Sequence, residues 1–148
     1  MNKTKHGKQG KLLTILITGT PGTGKTELAK FLKSKKGFHI LEEKSLIKKH
    51  GIGTWDKKTK EYEVDLPHLK KAILKEMKKS KKSTLIVGHL SCEIFLPVNS
   101  VIVLTTPVNE LEKRLKARKY SEVKIQDNLF CEETKYVEIN VRKHYSGK

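Results

Sequence analysis

The stretch LLTILITGTPGTGKT, residues 12–26, decides the fold of this chain. Its first half, Leu12 to Thr18, is an apolar run typical of a strand buried in the centre of a parallel sheet. After it, Thr26 to Lys36 has the helical spacing of apolar residues. The residues between them fit the pattern Gly-x4-Gly-Lys-Thr at every fixed position, from Gly19 to Thr26. A strand, this loop and a helix in succession predict a loop that holds the phosphates of a nucleotide.

Each residue type in the loop has a physical reason to be there. Glycine lets the backbone adopt positive φ angles and approach a phosphate without a Cβ clash. Successive N–H groups at a helix start attract anions. Lys25 provides a cation for the β- and γ-phosphates, and the Thr26 hydroxyl is a hard oxygen ligand suited to Mg²⁺. The predicted ATP-binding residues are therefore Gly22, Thr23, Gly24, Lys25, Thr26 and Glu27, with Thr26 as the metal ligand.

Strand and helix patterns alternate along the rest of the chain, which predicts an α/β domain with a parallel sheet of about five strands flanked by helices. Ligands of such sheets bind at the carboxyl ends of the strands. We expect a basic, disordered tail at 1–11 and a single domain at 12–148. Strands are expected at 12–18, 38–41, 84–87, 101–105 and 136–141, helices at 26–36, 45–50, 66–77, 107–117 and 122–134, and a mobile loop at 51–62.

The composition limits the possible classes of protein. The 148 residues carry a formal charge of +16, which favours polyanionic partners such as RNA or a ribosome and fits equally well a lysine-rich but inert surface. The two cysteines, Cys92 and Cys131, lack the spacing of a disulfide framework or a zinc site. No signal peptide or membrane anchor is evident. The sequence therefore predicts a cytoplasmic protein that does not contact membranes.

Beyond the loop, three segments carry a resemblance to a known family. They are ITGTPGTGKTELAK (17–30), IVGHLSCEIFLP (86–97) and VIVLTTPVNELEKRLKARKYSEVKIQDN (101–128). Together they resemble the adenylate kinase isoenzyme 6 family, small P-loop NTPases that also serve in maturation of the small ribosomal subunit. The resemblance implies transfer of the γ-phosphoryl group of ATP to AMP or to water with Mg²⁺ bound. It also implies small-subunit ribosomal protein eleven, in the bacterial count, as a partner.

The resemblance assigns further parts of a site. Arg118, at a lid turn within 117–127, is expected to close its guanidinium over the transferred phosphates, since its fork suits bidentate oxygen contacts. Arg114, one turn earlier, is a second candidate. His89 matches the family's histidine, which helps to order the hydrolytic water or the metal shell. The segment 42–65 takes the place of the monophosphate-binding segment.

Two departures from the family pattern bear on function. The family carries an acidic residue two positions before its histidine, and here that position is Val87. Asp65 and Glu93 are the nearest substitutes in sequence. The second departure is at the C-terminal end, where the alternation of Tyr136 to Val141 predicts a last strand and no closing helix.

Three functions remain open. One is an adenylate kinase with ATPase activity, and another is an ATP-switched ribosome assembly factor with little kinase turnover. A kinase for shikimate or another small metabolite would share the loop but would not explain the RKY turn at 118–120 or the IVGHLSCE segment.

Overall fold

A computed structural model describes residues 10–147, so residues 1–9 of the predicted tail lie outside the described part. The centre of the fold is a four-stranded sheet in which all pairings are parallel, with the order β2-β5-β1-β6. Its strands are β1 (Thr14–Gly19), β2 (His39–Glu42), β5 (Thr84–Val87) and β6 (Ser100–Leu104). Two short strands, β3 (Thr54–Asp56) and β4 (Glu61–Glu63), form a separate antiparallel hairpin.

Helices cover the sheet and its edges. They are α1 (Lys25–Lys36), α2 (Glu43–His50), α3 (Leu66–Lys79), α4 (Val108–Ala117), α5 (Glu122–Glu133) and α6 (Tyr136–His144), with a 3₁₀ turn at Leu90–Glu93. None of the helices between residues 10 and 147 combines the length and apolarity needed to cross a membrane. The predicted α/β fold with a parallel sheet is confirmed.

Both faces of the sheet are buried, as a parallel sheet requires. Leu16 of β1 and Ile86 of β5 face a cluster that includes buried residues of α2 and α3. Ile17 and Val87 face the opposite way, towards Ala29 of α1. This alternation fixes which side chains at the ends of the strands point towards α1 and which point towards α2.

The prediction of a last strand at Tyr136 to Val141 was wrong, because this segment is helix α6. The side chains that pack inward are Val137, Val141 and Tyr145, which recur every four residues. The Tyr145 hydroxyl donates to the carbonyl of Ile94 at 2.6 Å and accepts from Leu96 N–H at 3.2 Å. The main sheet therefore has four strands where about five were expected, and a helix closes the described part of the chain.

The prediction of a loop without regular structure at 51–62 was wrong, because most of this segment belongs to the β3–β4 hairpin, which ends at Glu63. Its turn is held by the Asp56 carboxylate, which accepts from Lys58 N–H at 2.7 Å. Trp55 and Tyr62 lie opposite each other across the two strands, with ring centroids 5.1 Å apart in an edge-to-face pair. Both rings remain about half exposed.

Candidate nucleotide-binding site

The phosphate loop lies between the end of β1 and the start of α1, as the sequence predicts. Gly24 precedes the helix with φ of 97°, and no side chain among residues 10–147 caps the helix start. The first N–H groups of a helix have no partner inside the helix, so this end is suited to bind an anion. Thr23 stabilises the loop through its hydroxyl, which donates to the carbonyl of Thr20 at 2.7 Å. Glu27 lies in the first turn of α1 with an exposed side chain.

Helix α4 packs directly against the loop. A Cβ at Gly22, which has φ of 94°, would lie 2.9 Å from Leu111 Cδ1 and 3.1 Å from Leu115 Cδ2. Arg114 of the same helix donates from Nη1 to the carbonyl of Gly22 at 3.2 Å and from Nε to Glu110 at 3.3 Å. The side chain that contacts the loop is therefore Arg114, the second candidate from the sequence.

Arg118 lies at the C-terminal end of α4 and is exposed. Its charge contributes to lowering the pKa of Lys25, so the guanidinium is within electrostatic reach of the loop. Turn 118–121 joins α4 to α5. On α5, Lys124 forms an ion pair with Glu61 of β4 at 3.2 Å, so the predicted lid contacts the predicted monophosphate-binding segment.

The Lys25 ammonium folds back onto its own loop. It donates to the carbonyls of Gly19 at 2.7 Å and Thr20 at 3.1 Å. Burial lowers the pKa of Lys25 from its ordinary value of 10.5 to about 8, while the charge of Glu43 opposes this shift. A bound polyphosphate would place further negative charge next to this partly buried cation.

His89 follows β5 at the same edge of the sheet. Its Nδ1 lies 3.9 Å from Glu43 Oε1, and 48% of its side chain is exposed. Desolvation and the nearby charges of Lys25, Lys44 and Lys124 lower the pKa of His89 to about 4. The imidazole is thus neutral at pH 7, so that one ring nitrogen donates a hydrogen bond and the other accepts one.

Sequence reasoning missed Glu43, which the fold brings to the site. Its Oε2 accepts from Ser91 N–H at 2.9 Å and from the Ser91 hydroxyl at 2.7 Å, and its Oε1 accepts from Leu90 N–H at 3.1 Å. A Cβ at Gly88 would overlap this carboxylate. Burial raises the pKa of Glu43, and these hydrogen bonds oppose the shift. The carboxylate therefore fastens the His89 segment to the start of α2.

The other missed residue is Glu42, the last residue of β2. Together with Thr26 and Val87 it lines a cavity of about 60 Å³ beside α1. The Thr26 hydroxyl and a carboxylate are hard oxygen donors, so the donor set of this cavity fits Mg²⁺. The signal for both residues was the pair Glu42-Glu43 directly after a predicted strand.

Asp65 and Glu93, the nearest carboxylates in sequence that could substitute for an acid at Val87, make contacts elsewhere. Asp65 caps α3 by accepting from His68 N–H at 3.2 Å, and it pairs with the His68 imidazole at 2.8 Å. Glu93 accepts a hydrogen bond from the Tyr136 hydroxyl. Neither carboxylate lines the cavity that contains Thr26.

Comparisons with known proteins relate the chain to a family. Residues 15–135 match a family described as an AAA domain. An adenylate kinase isoenzyme 6 homolog of Dictyostelium discoideum is 34% identical over 134 residues, which are 88% of this chain and 75% of the relative. A protein of Pyrococcus furiosus that is provisionally named an adenylate kinase is 38% identical over 120 residues, 81% of this chain and 63% of the relative. The chain spans just under two thirds of the length of several such archaeal relatives.

Solved structures share the fold. A shikimate kinase from Acinetobacter baumannii aligns with a TM-score of 0.61 at 24% identity, over 87% of this chain and 80% of that one. A gluconokinase from Sinorhizobium meliloti aligns with a TM-score of 0.53 at 17% identity, over 79% and 73%. At these identities the likeness concerns the fold alone. The sequence relatives identify the family, and the chain belongs to the adenylate kinase isoenzyme 6 family.

Proposed function

We propose that the protein is a nucleoside monophosphate kinase that transfers the γ-phosphoryl group of ATP to AMP, with an accompanying ATPase activity. The observation that carries this proposal is a partly buried lysine at the loop, Lys25, beside helix α4, from which Arg114 contacts the loop and Arg118 acts on the charge of Lys25. Phosphoryl transfer needs positioned cations more than covalent chemistry, because charge spreads over the transferred oxygens. A kinase of this class is also what the family relationship favours.

The three cations have different roles in this proposal. Lys25 leaves its two carbonyl partners and binds the β- and γ-phosphates. Arg114 holds the loop in shape through the carbonyl of Gly22. Arg118, which is exposed at the start of the 118–121 turn, closes over the transferred group. Lys25, His89 and Arg118 are the proposed catalytic residues.

The acceptor nucleotide would bind between the two segments that meet near the loop. The segment 42–65 contributes α2 and the β3–β4 hairpin, and the lid contributes Lys124 of α5. The ion pair between Lys124 and Glu61 joins these segments, and a bound AMP phosphate would compete with Glu61 for the Lys124 ammonium. This arrangement supports two binding sites that face each other across the carboxyl edge of the sheet.

Mg²⁺, bound through the Thr26 hydroxyl, would neutralise charge on the β- and γ-phosphates of ATP. His89 would act in the ATPase reaction as a neutral hydrogen-bonding group that orients the attacking water. Its lowered pKa is consistent with this role, since an imidazolium next to Lys25 and Lys44 would be disfavoured. Glu43 would hold the His89 segment in place.

The test is an assay of purified protein with labelled ATP, with and without AMP. The proposal expects ADP from both nucleotides when AMP is present, and slower release of phosphate when it is absent. Lys25→Met is expected to abolish both reactions, whereas Lys33→Met, an exposed lysine on the same helix, is expected to change neither. Wild-type turnover by the Lys25→Met variant would refute the assignment of the site.

A second candidate is an ATP-switched factor in assembly of the small ribosomal subunit, in the cytoplasm. The net charge of +16 and the absence of a carboxylate at Val87 favour it, since the first suits rRNA and the second weakens turnover. Its partner would be small-subunit ribosomal protein eleven, with rRNA contacted through the basic surface. Sedimentation with small-subunit particles in the presence of ADP or of a non-hydrolysable ATP analogue would test it, and binding that ignores the nucleotide would contradict a switch.

A further inference from the structure

The position of Val87 lacks a carboxylate, but the residue beside it on the neighbouring strand has one. Glu42 and Val87 are register partners in the parallel pairing of β2 with β5. Register partners in a sheet point to the same face, and both side chains line the cavity that also contains Thr26. At this edge of the sheet the carboxylate therefore lies on β2, one strand away from the position of Val87 on β5.

The cavity has the size and lining of a polar site. Its volume of about 60 Å³ exceeds the space that a single water molecule needs. Its apolar lining residues are Ala29, Ile40 and Val87, and its polar ones are Thr26, Lys30 and Glu42.

The Glu42 carboxylate is available for a ligand. Within residues 10–147 it takes part in no hydrogen bond and in no ion pair, although Lys30 lines the same cavity. Its neighbour Glu43 differs in both respects, because that carboxylate is buried on the other face and bound by Leu90 and Ser91. Two adjacent glutamates thus have separate roles, one structural and one open to the site.

We propose that Glu42 is the carboxylate that orients the water shell of the Mg²⁺ bound with the nucleotide, in place of the acid that Val87 replaces. This inference rests on the proposed function, since it needs Mg·nucleotide at the phosphate loop. Glu42 is a positioning residue in this scheme, because it acts through metal-bound water. Thr26 remains the protein ligand of the metal.

The experiment measures ADP affinity by calorimetry, with Mg²⁺ and with EDTA. Glu42→Gln keeps the size of the side chain and removes its charge. We expect this variant to lose about tenfold or more of the affinity that Mg²⁺ adds, as substitution of an outer-shell carboxylate does. In EDTA its affinity should be no lower than that of the wild type, since an unscreened carboxylate near the phosphates repels them; this also shows that the loop is intact. Glu133→Gln, an exposed glutamate at the end of α5, makes the same change in charge and should behave as the wild type.

The register supplies a rescue experiment. Adding Val87→Asp to Glu42→Gln puts a carboxylate back on the same face, one strand away, and should restore most of the Mg²⁺-dependent affinity. A Glu42→Gln variant that keeps the full Mg²⁺ dependence would overturn the inference and leave the proposed kinase in place. A wild-type protein whose ADP affinity is the same in Mg²⁺ and in EDTA would also overturn the inference, whereas the proposed function is overturned by the absence of phosphoryl transfer from ATP to AMP in the assay with labelled ATP.

Discussion

Raising the pH from 7 to 9 should deprotonate Lys25 in the protein without nucleotide. When nucleotide binds at the higher pH, Lys25 should take up a proton. The ligand-free lysine has a pKa of about 8, mainly because of burial. Phosphate oxygens next to the ammonium favour its charged form and raise its pKa. At pH values between the pKa of Lys25 in the free protein and its higher pKa in the complex, Lys25 is protonated in the complex but not in the free protein. The affinity for nucleotide therefore falls as the pH rises through this range.

The size of the effect follows from the pKa of the free protein. At pH 7 about nine tenths of the molecules carry the charge, at pH 8 about half, and at pH 9 about one tenth. Proton uptake on binding ADP is then about 0.1, 0.5 and 0.9 per site. The affinity at pH 9 should be lower than at pH 7 by about tenfold, since only the charged fraction binds well.

Calorimetry in buffers of different ionisation enthalpy measures this uptake directly. Lys25→Arg is the matched variant, because arginine stays charged throughout this range and should show no uptake at pH 8 or 9. Uptake that persists in Lys25→Arg would assign the proton to another group. No uptake at pH 9 in the wild type would refute the inference that Lys25 is neutralised by burial.

Three further predictions test other parts of the protein. Arg118→Ala should lower kcat more than ATP affinity, since the guanidinium is matched to charge that develops in the transition state. Lys116→Ala is the control. A loss confined to ATP affinity would mean that Arg118 contacts the phosphates in the ground state only. Val87→Asp alone should lose thermal stability that Mg·ATP restores, because the added carboxylate lies beside Glu42 and is unpaired until a cation binds; equal destabilisation with and without Mg·ATP would contradict this. Tyr145→Phe should cost about 1–3 kcal/mol in the free energy of unfolding, measured with urea, because it leaves the carbonyl of Ile94 and the N–H of Leu96 without this partner. A change below a few tenths of a kcal/mol would mean that water replaces the hydroxyl.

The phosphate loop could be predicted from sequence because its chemistry is local. Gly19 to Thr26 are consecutive, and a buried strand before them and a helix after them are enough to position the backbone N–H groups and Lys25. Short runs of apolar residues with strand or helix spacing also predict the order of strands and helices, and this order indicates the α/β class. The resemblance to a family rests on the same kind of contiguous segments.

Local patterns failed at the C-terminal end of the chain. The alternation of Tyr136 to Val141 fits a strand, but Val137, Val141 and Tyr145 also have helical spacing, and one face of a helix can bury all three. Whether the segment forms a strand or a helix depends on the surface of the fold against which it packs. Here that surface includes the Leu90–Glu93 turn and the edge of β6, against which α6 packs.

The roles of Glu42 and Glu43 depended on tertiary structure alone. They lie 16 residues or more from Thr26 and more than 40 from Val87 and Ser91 in the sequence. Parallel pairing brings the carboxyl ends of β2, β5 and β1 to one edge, and the alternation of side chains then sends Glu42 towards Thr26 and Glu43 towards Ser91. A sequence records which carboxylates exist, but the register of the sheet decides which of them faces the nucleotide.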